Sequence, residues 1–369
     1  MFSKQALLTA VGAAFIFGLV TSLAVRPPSA PPASAAAAEG GKVVERVRWR
    51  IPLSSSQNLP GSGETQLWMA DAVGKASGGG IHFQLFDPGE IVPAFAITDA
   101  VRDRKVPAGH TWLGYDQGKI PSSALFGATP FGLRPWAYIG WWFFGDGEQL
   151  ANEIYAEHNI KPLLCGITGP ETAGWYAEPI NGLEDIQGLK IRFAGIGGKI
   201  MQRAGASITM LPAGEIFQAL ETGVIDATEY SQPITDQALG FSRIAKYNYY
   251  PGWHQPFSAS HLVINLDVWN SISKPDQELI HMMCTAAAGR HLGMTESLQG
   301  EIIKGFPDIG VTAMETPVEI LRELKDHADQ VLDEDAAKDP DFARVLESQR
   351  AFQENHDFWR RLAYLPKEF

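Results

Sequence analysis

Between residues 161 and 230 short apolar runs alternate with short amphipathic segments, and this alternation restricts the available architectures more than any other feature of the chain. KPLLCGI (161–167) reads as a strand, LEDIQG (183–188) as a helical turn, LKIRFAG (189–195) as a strand and GGKIMQRAG (197–205) as a helix closed by Gly205. SITMLP (207–212), AGEIFQALETG (213–223) and VIDATEY (224–230) continue as strand, helix and strand. An earlier block repeats the pattern. RVRWRIPL (46–53) and IHFQLF (81–86) are strand-like, and 61–79 and 94–103 are helical. In 61–79 the expected buried stripe carries Leu67, Trp68, Ala70, Ala72 and Val73. Strands alternating with helices point to an α/β layered fold with parallel strands. Residues 151–160 read as helix, 246–266 as β-rich and aromatic, and the chain beyond 275 as largely helical. Two α/β blocks with a helical tail predict a bilobed molecule.

Composition removes several classes of function. The 369 residues allow two or three domains. With 42 acidic and 30 basic residues the formal charge is −12, the wrong sign for non-specific nucleic-acid binding. Residues 6–25 carry no charge, follow Lys4, and precede a Pro/Ala/Ser-rich stretch with small residues at Ala33 and Ala35. That is the pattern of an export signal, and twenty apolar residues also suffice for an uncleaved anchor. Either way the body from about residue 42 is expected outside the cytoplasmic membrane. Loss of residues 1–35 would remove Lys4 and Arg26 and take the charge from −12 to −14. Cys165 and Cys284 cannot build a disulfide framework or a four-thiolate zinc site. Both read as small buried apolar residues, and a bridge between them is permitted outside the cytoplasm but not decided by the sequence.

The usual enzyme signatures are absent: there is no G-x-S-x-G elbow, no phosphate loop and no H-E-x-x-H pair. Gly-Ile-Gly-Gly at 195–198 follows a strand and opens a helix, a placement best explained by close strand-to-helix packing. None of the nine histidines forms an i, i+4 helical pair, and His254, between Trp253 and Gln255, reads by default as a loop residue. Arg192 stands out, because an arginine in an apolar strand is costly unless it meets an anion, and its planar fork suits a carboxylate. Glu229 ends the apolar run 224–228, and Glu171 sits in the Gly/Pro-rich loop after strand 161–167. Ligand crevices of open α/β sheets lie outside such strand ends. Arg192 and Glu229 there would either pair with each other or hold a carboxylate and a cation side by side.

At these residues the chain resembles the DctP-type periplasmic solute-binding proteins of TRAP transporters. The stretch 182–230 carries the resemblance through D-x-x-G-L-K-I-R, P-x-x-E-x-x-x-A-L-x-x-G-x-x-D and the pair Glu229-Tyr230. Within that family TGPETAGW (168–175), YYPGWHQP (249–256) and RVLESQRAF (344–352) are similar to binders of α-keto acids and related monocarboxylates. The resemblance implies a two-lobed periplasmic binding protein fold with a hinge and a helical C-terminal region. It divides the chain into a leader and linker (1–41), lobe I (42–162 plus about 257–300), lobe II (163–256 plus about 301–340) and a C-terminal helix (341–369) placed in a dimer interface. It implies that Arg192 grips the ligand carboxylate, Tyr115 hydrogen-bonds the ligand from the other lobe, and Glu171, Tyr230, Trp253 and Gln255 line the ligand. Glu171, Glu229, Tyr230 through its main-chain oxygen, and Gln255 would hold one bridging metal ion.

Three positions depart from the relatives' pattern, which has Gln for Glu171, Trp for Tyr230 and Glu for Gln255. Two glutamates on one cation favour a hard divalent ion, hence calcium over sodium. The function expected is capture of a small 2-oxo or 2-hydroxy monocarboxylic acid, such as pyruvate or lactate, without catalysis, and its delivery to a membrane permease. Trp175, Tyr230 and Trp253 would wall the pocket, and Arg192→Ala would abolish acid binding while leaving the fold intact. Phe352, Phe358, Trp359 and Leu362 on the C-terminal helix are expected to support a homodimer. The alternatives are a polyol, sugar acid or aromatic acid as solute, an exported metal-dependent enzyme using Glu171 or Glu229 as a base, and an anchored scaffold without a ligand.

Overall fold

The computed structural model describes residues 45–365; the leader and linker expected over 1–41 and the last four residues of the chain lie outside them. No helix among the described residues is long and apolar enough to cross a membrane. The first lobe is built on strands β1 (Val47–Pro52), β2 (Ile81–Phe86), β3 (Ala108–Trp112), β4 (Ile160–Ile167) and β10 (Ala259–Asn265). β1 and β2 pair in parallel, as the opening β-α-β pattern predicts. β10, however, lies antiparallel between β3 and β4. The expectation of parallel strands therefore does not extend to β10, which arrives from far along the chain and carries no crossover helix to impose a direction. An isolated parallel bridge from Leu53 to His110 joins the two groups of strands.

The second lobe holds a six-stranded sheet in the order β11-β9-β5-β8-β6-β7. Its members are β5 (Gly174–Tyr176), β6 (Lys190–Arg192), β7 (Ser207–Thr209), β8 (Ala227–Thr228), β9 (Tyr247–Tyr250) and β11 (Thr312–Glu315). The parallel β6–β7 and β6–β8 pairs are the βαβ block read from the sequence, with helices Gly195–Arg203 and Ala213–Glu221 as its crossovers. Gly205 (φ +103°) and Gly223 (φ +69°) follow these helices in conformations that only glycine adopts cheaply. The strand expected over 224–230 pairs only at Ala227–Thr228, and its following residues turn away into the site.

One helix, Lys274–Lys304, serves both lobes. Ser273 caps it by accepting from the Asp276 N–H. Its first half packs Ile280, Cys284 and Ala287 beside Leu163 and Ile264, and Cys284 is disulfide-bonded to Cys165 of β4. Its last turn sets Ile302 and Ile303 against Trp175, Ile216 and Phe306 of the second lobe. Helix Val318–Lys338 lies on Gly195–Arg203, where Arg203 pairs with Glu334 at 2.7 Å. The final helix Pro340–Ala363 returns to the first lobe: Trp141 Nε1 donates to Ser348 at 2.9 Å and Gln349 donates to the Leu125 carbonyl.

Candidate functional site

Two crossing segments, 168–173 and 251–258, carry the chain between the sheets and brace each other. The Thr168 N–H donates to the Ser258 carbonyl at 2.9 Å and the Ser258 N–H donates back to the Thr168 hydroxyl at 2.8 Å. Farther along, the Ala173 N–H donates to the Tyr249 carbonyl and the Gly252 N–H to the Glu171 carbonyl. A Cβ at Gly252 would stand 2.4 Å from that carbonyl oxygen, so this approach requires glycine. The bracing fixes Glu171, His254 and Gln255 beside the strand ends of β6 and β8, where Arg192 and Glu229 emerge.

A cavity of about 80 Å³ opens there. At about 30 Å³ per water that is room for about three waters, the scale of a small organic acid. Tyr115, Glu171, Arg192, Tyr230 and Gln255 line it, all five named from the sequence. Arg192 is 1 % exposed and lies 3.0 Å from Glu229 through Nη1 and Oε1. Its Nη1 also donates to the Glu229 main-chain carbonyl and its Nε to the Leu211 carbonyl. The guanidinium sits 5.2 Å from the centre of the Tyr230 ring. Nη2 has no hydrogen-bond partner among the described residues and is the donor left for an incoming anion. Of the two readings left open for the Arg192–Glu229 pair the structure shows the first: the charges pair, and Glu229 Oε2 keeps no partner. Because this pair is fully buried, the expectation that Arg192→Ala leaves the fold undisturbed is revised. Its removal strands the Glu229 carboxylate.

Glu229 accepts from the Ala194 N–H at 2.6 Å through Oε1, while its Oε2 has no partner. Burial alone would raise its pKa, but Arg192, His254 and the Ala194 N–H outweigh burial and hold it below the ordinary carboxylate range. Glu171 has neither oxygen satisfied. Burial, reinforced by Glu229 and by Asp236, pushes it well above that range. Asp236, raised to about 8 chiefly by burial, accepts from the Trp175 indole at 2.8 Å and from the Ser231 N–H. His254 Nε2 lies 4.0 Å from Glu171 Oε2 and 3.8 Å from Glu229 Oε2. One ligand atom from each of Glu171, Glu229 and His254 falls within 4.8 Å of the others. Buried carboxylate oxygens this close with nothing bonded to them suit a hard cation, so the donor chemistry fits a metal ion.

Several assignments are relocated. Trp253 does not line the cavity: it stacks on Phe131 at 5.6 Å and packs at a tilt on Phe193 at 5.9 Å in the core. Trp175 is likewise sealed in the core, at 5.5 Å from Phe306. Of the three aromatic residues expected to wall the cleft only Tyr230 does so. The work falls to Trp112 and Tyr115, whose rings meet edge-on at 5.1 Å. Trp112 also explains a glycine: a Cβ at Gly195 (φ +64°) would come within 2.9 Å of its ring. Close packing is thus the reason for the 195–198 run. His254 was missed because its aromatic neighbours were its only signal.

The comparisons with known proteins agree with this fold. The family model described as bacterial extracellular solute-binding protein, family 7 (DctP) matches residues 55–339. A monocarboxylate 2-oxoacid-binding periplasmic protein of Nostoc sp. is 33 % identical over 322 residues, covering 87 % of this chain and 88 % of its own. A TRAP transporter solute-binding protein of Bordetella bronchiseptica, a dimer with copurified calcium and picolinate, superposes with a TM-score of 0.84 at 29 % identity, over 86 % of this chain and 94 % of that one. A TRAP periplasmic solute-binding protein of Colwellia psychrerythraea with bound calcium and pyruvate gives 0.83 at 29 % identity, over 86 % and 97 %. One from Pseudoalteromonas atlantica with sodium and pyruvate gives the same values. With a family model spanning most of its described length and a relative of this identity, the chain belongs to the DctP family of bacterial extracellular solute-binding proteins.

Proposed function

We propose that this protein captures a small 2-oxo or 2-hydroxy monocarboxylic acid, such as pyruvate or lactate, outside the cytoplasmic membrane and delivers it to the permease of a TRAP transporter. The observation that carries the reading is the buried Arg192 fork with one nitrogen unspent, beside two unpartnered carboxylate oxygens of Glu171 in the cavity wall and one of Glu229, which stands behind that wall against Arg192. Arg192 orients the ligand carboxylate from the second lobe. Tyr115 offers its hydroxyl from the first, and Tyr230 packs against the guanidinium. Glu171, Glu229, Gln255 and the main-chain oxygen of Tyr230 would hold one metal ion, which supplies positive charge to the ligand oxygens. Two carboxylates favour calcium over sodium. Because hard cations take oxygen donors, His254 is left to orient the two carboxylates from 3.8 and 4.0 Å. The cation also reconciles an acidic protein with an anionic cargo.

The test is calorimetry with pyruvate in calcium and after chelation, with native mass spectrometry of the recovered complex. Binding weakened at least about tenfold by chelation, and pyruvate recovered unchanged, are expected. Undiminished affinity without metal, or turnover of the acid, refutes the reading. The leader 1–41 would export the chain or anchor it at the membrane. We further propose a homodimer through the end of the last helix, where Phe358, Trp359 and Leu362 are 61–74 % exposed. Phe352, by contrast, packs against Gly140 within the protomer.

A further inference from the structure

The cavity has a second wall that the carboxylate grip does not use. It belongs to the first lobe and is formed by Ser55, Ser62, Gln66, His110, Ser260 and His291. Four of these side chains, Ser55, Ser62, Gln66 and His110, form a connected polar strip, with Ser260 and His291 beside it. Gln66 Nε2 donates to His110 Nδ1 at 3.0 Å and approaches the Ser55 hydroxyl at 3.5 Å, which lies 3.5 Å from that of Ser62. Two of the wall's polar atoms are orphans. Gln66 Oε1 and His291 Nδ1 have no partner, although their residues are only 3 % and 4 % exposed. Unpaired buried groups of this kind are expensive unless something occupies them.

The wall is also uncharged. Burial, with His291 adding to it, pushes His110 down to about 3, and burial pushes His291 down to about 4, so both imidazoles are neutral at physiological pH. Among the described residues lining the cavity, Glu171 and Arg192 are the only other ionisable groups besides the two tyrosines. A second carboxylate on the solute would find no cation on this wall, and an ammonium group would find no acid. An alkyl tail would leave the orphan atoms desolvated and unpaired.

We propose that this wall is a subsite for an uncharged hydroxyl-bearing tail, so that the solute is a small 2-oxo or 2-hydroxy acid with a hydroxyl group beyond C2. The proposal rests on the capture reading above, since the tail reaches the strip only when the carboxylate is on Arg192. A hydroxyl is both donor and acceptor, which suits a wall built of one amide, two neutral imidazoles and three serine hydroxyls.

The test uses the calcium-loaded protein and two acids of nearly equal size, 3-hydroxypyruvate and 2-oxobutyrate, with pyruvate as the reference. Each well-made hydrogen bond is worth about tenfold in affinity, so 3-hydroxypyruvate should bind at least about tenfold more tightly than 2-oxobutyrate. Gln66→Leu and, separately, the milder Ser62→Ala should shrink that ratio toward one, with folding checked by the melting transition. Equal affinities in the unmodified protein, or a preference for 2-oxobutyrate, would overturn the subsite while leaving the capture reading standing. A preference that survives both substitutions would overturn it too. Failure of all three acids to bind would overturn the capture reading and the subsite together.

Discussion

Replacing Arg192 separates two roles that the geometry has merged. Arg192→Met keeps most of the side-chain volume but removes the charge from a pair in which neither partner is more than 1 % exposed. Removing one member of a buried pair costs about 3–5 kcal/mol, because the surviving charge has no solvent to fall back on. At about 2 cal/mol/K of unfolding entropy per residue, over the roughly 320 residues described, that cost lowers the melting temperature by about 4–7 °C. Adding Glu229→Gln removes the stranded charge while its amide oxygen still accepts from the Ala194 N–H. The double variant should therefore recover at least half of the lost stability. Acid binding should not recover, since the donor to the carboxylate is gone. Differential scanning calorimetry reads the first effect, and titration with pyruvate in calcium reads the second, with a loss of at least about a hundredfold expected. A single variant with unchanged melting and unchanged pyruvate affinity would refute both halves of the argument.

Three further outcomes are expected. Replacing Cys165 and Cys284 with Ala, or reducing them, releases a cross-link spanning 119 residues and should cost up to about 5 kcal/mol, read as a lower melting temperature. His261 is fully buried and held down to about 3 chiefly by burial, with His110 adding. Below about pH 6.5 the unfolded chain takes up a proton that the folded chain refuses, so this residue's cost to folding grows as pH falls from 6.5 toward 3. Between pH 7.5 and 5 the unmodified protein should lose up to about 2 kcal/mol relative to His261→Phe in denaturant titrations at each pH. Trp359→Glu should convert a dimer to a monomer by sedimentation velocity without moving the pyruvate affinity.

What the sequence reveals here follows from which signals are local. The block 182–230 was legible because its helices are closed by glycines and its strands follow within a few residues, so neighbours in sequence are neighbours in the sheet. The antiparallel placement of β10 was not, since its partners β3 and β4 lie far away in the chain, and the fully buried run AGHTW of β3 shows no alternation. In helix Ser62–Ala76 the apolar residues suggested the buried face. The structure buries Val73 as expected, but the rest of the buried face is Gly63, Thr65, Gln66 and Met69, and Leu67 is left 45 % exposed. The inward face there borders a cleft, and a cleft selects polar residues that hydrophobic periodicity scores as surface. The same inversion hid His110 and His291. Arg192 and Glu229 were visible because a charge interrupting an apolar run at a strand end has few inexpensive explanations. Trp253, an aromatic beside a loop histidine, has many.

The 31-residue helix Lys274–Lys304 has its opening turns stapled to one half of the molecule and its closing turn embedded in the other. Any swing of the jaws must therefore flex a continuous rod as well as swivel the two crossing segments. Gly289, Gly293 and Gly300 have open space where their side chains would be, and they soften the rod at its middle and far end. Such a strut resists wide gaping and acts as a return spring, so that the resting aperture is set by elasticity of the backbone as well as by the cargo.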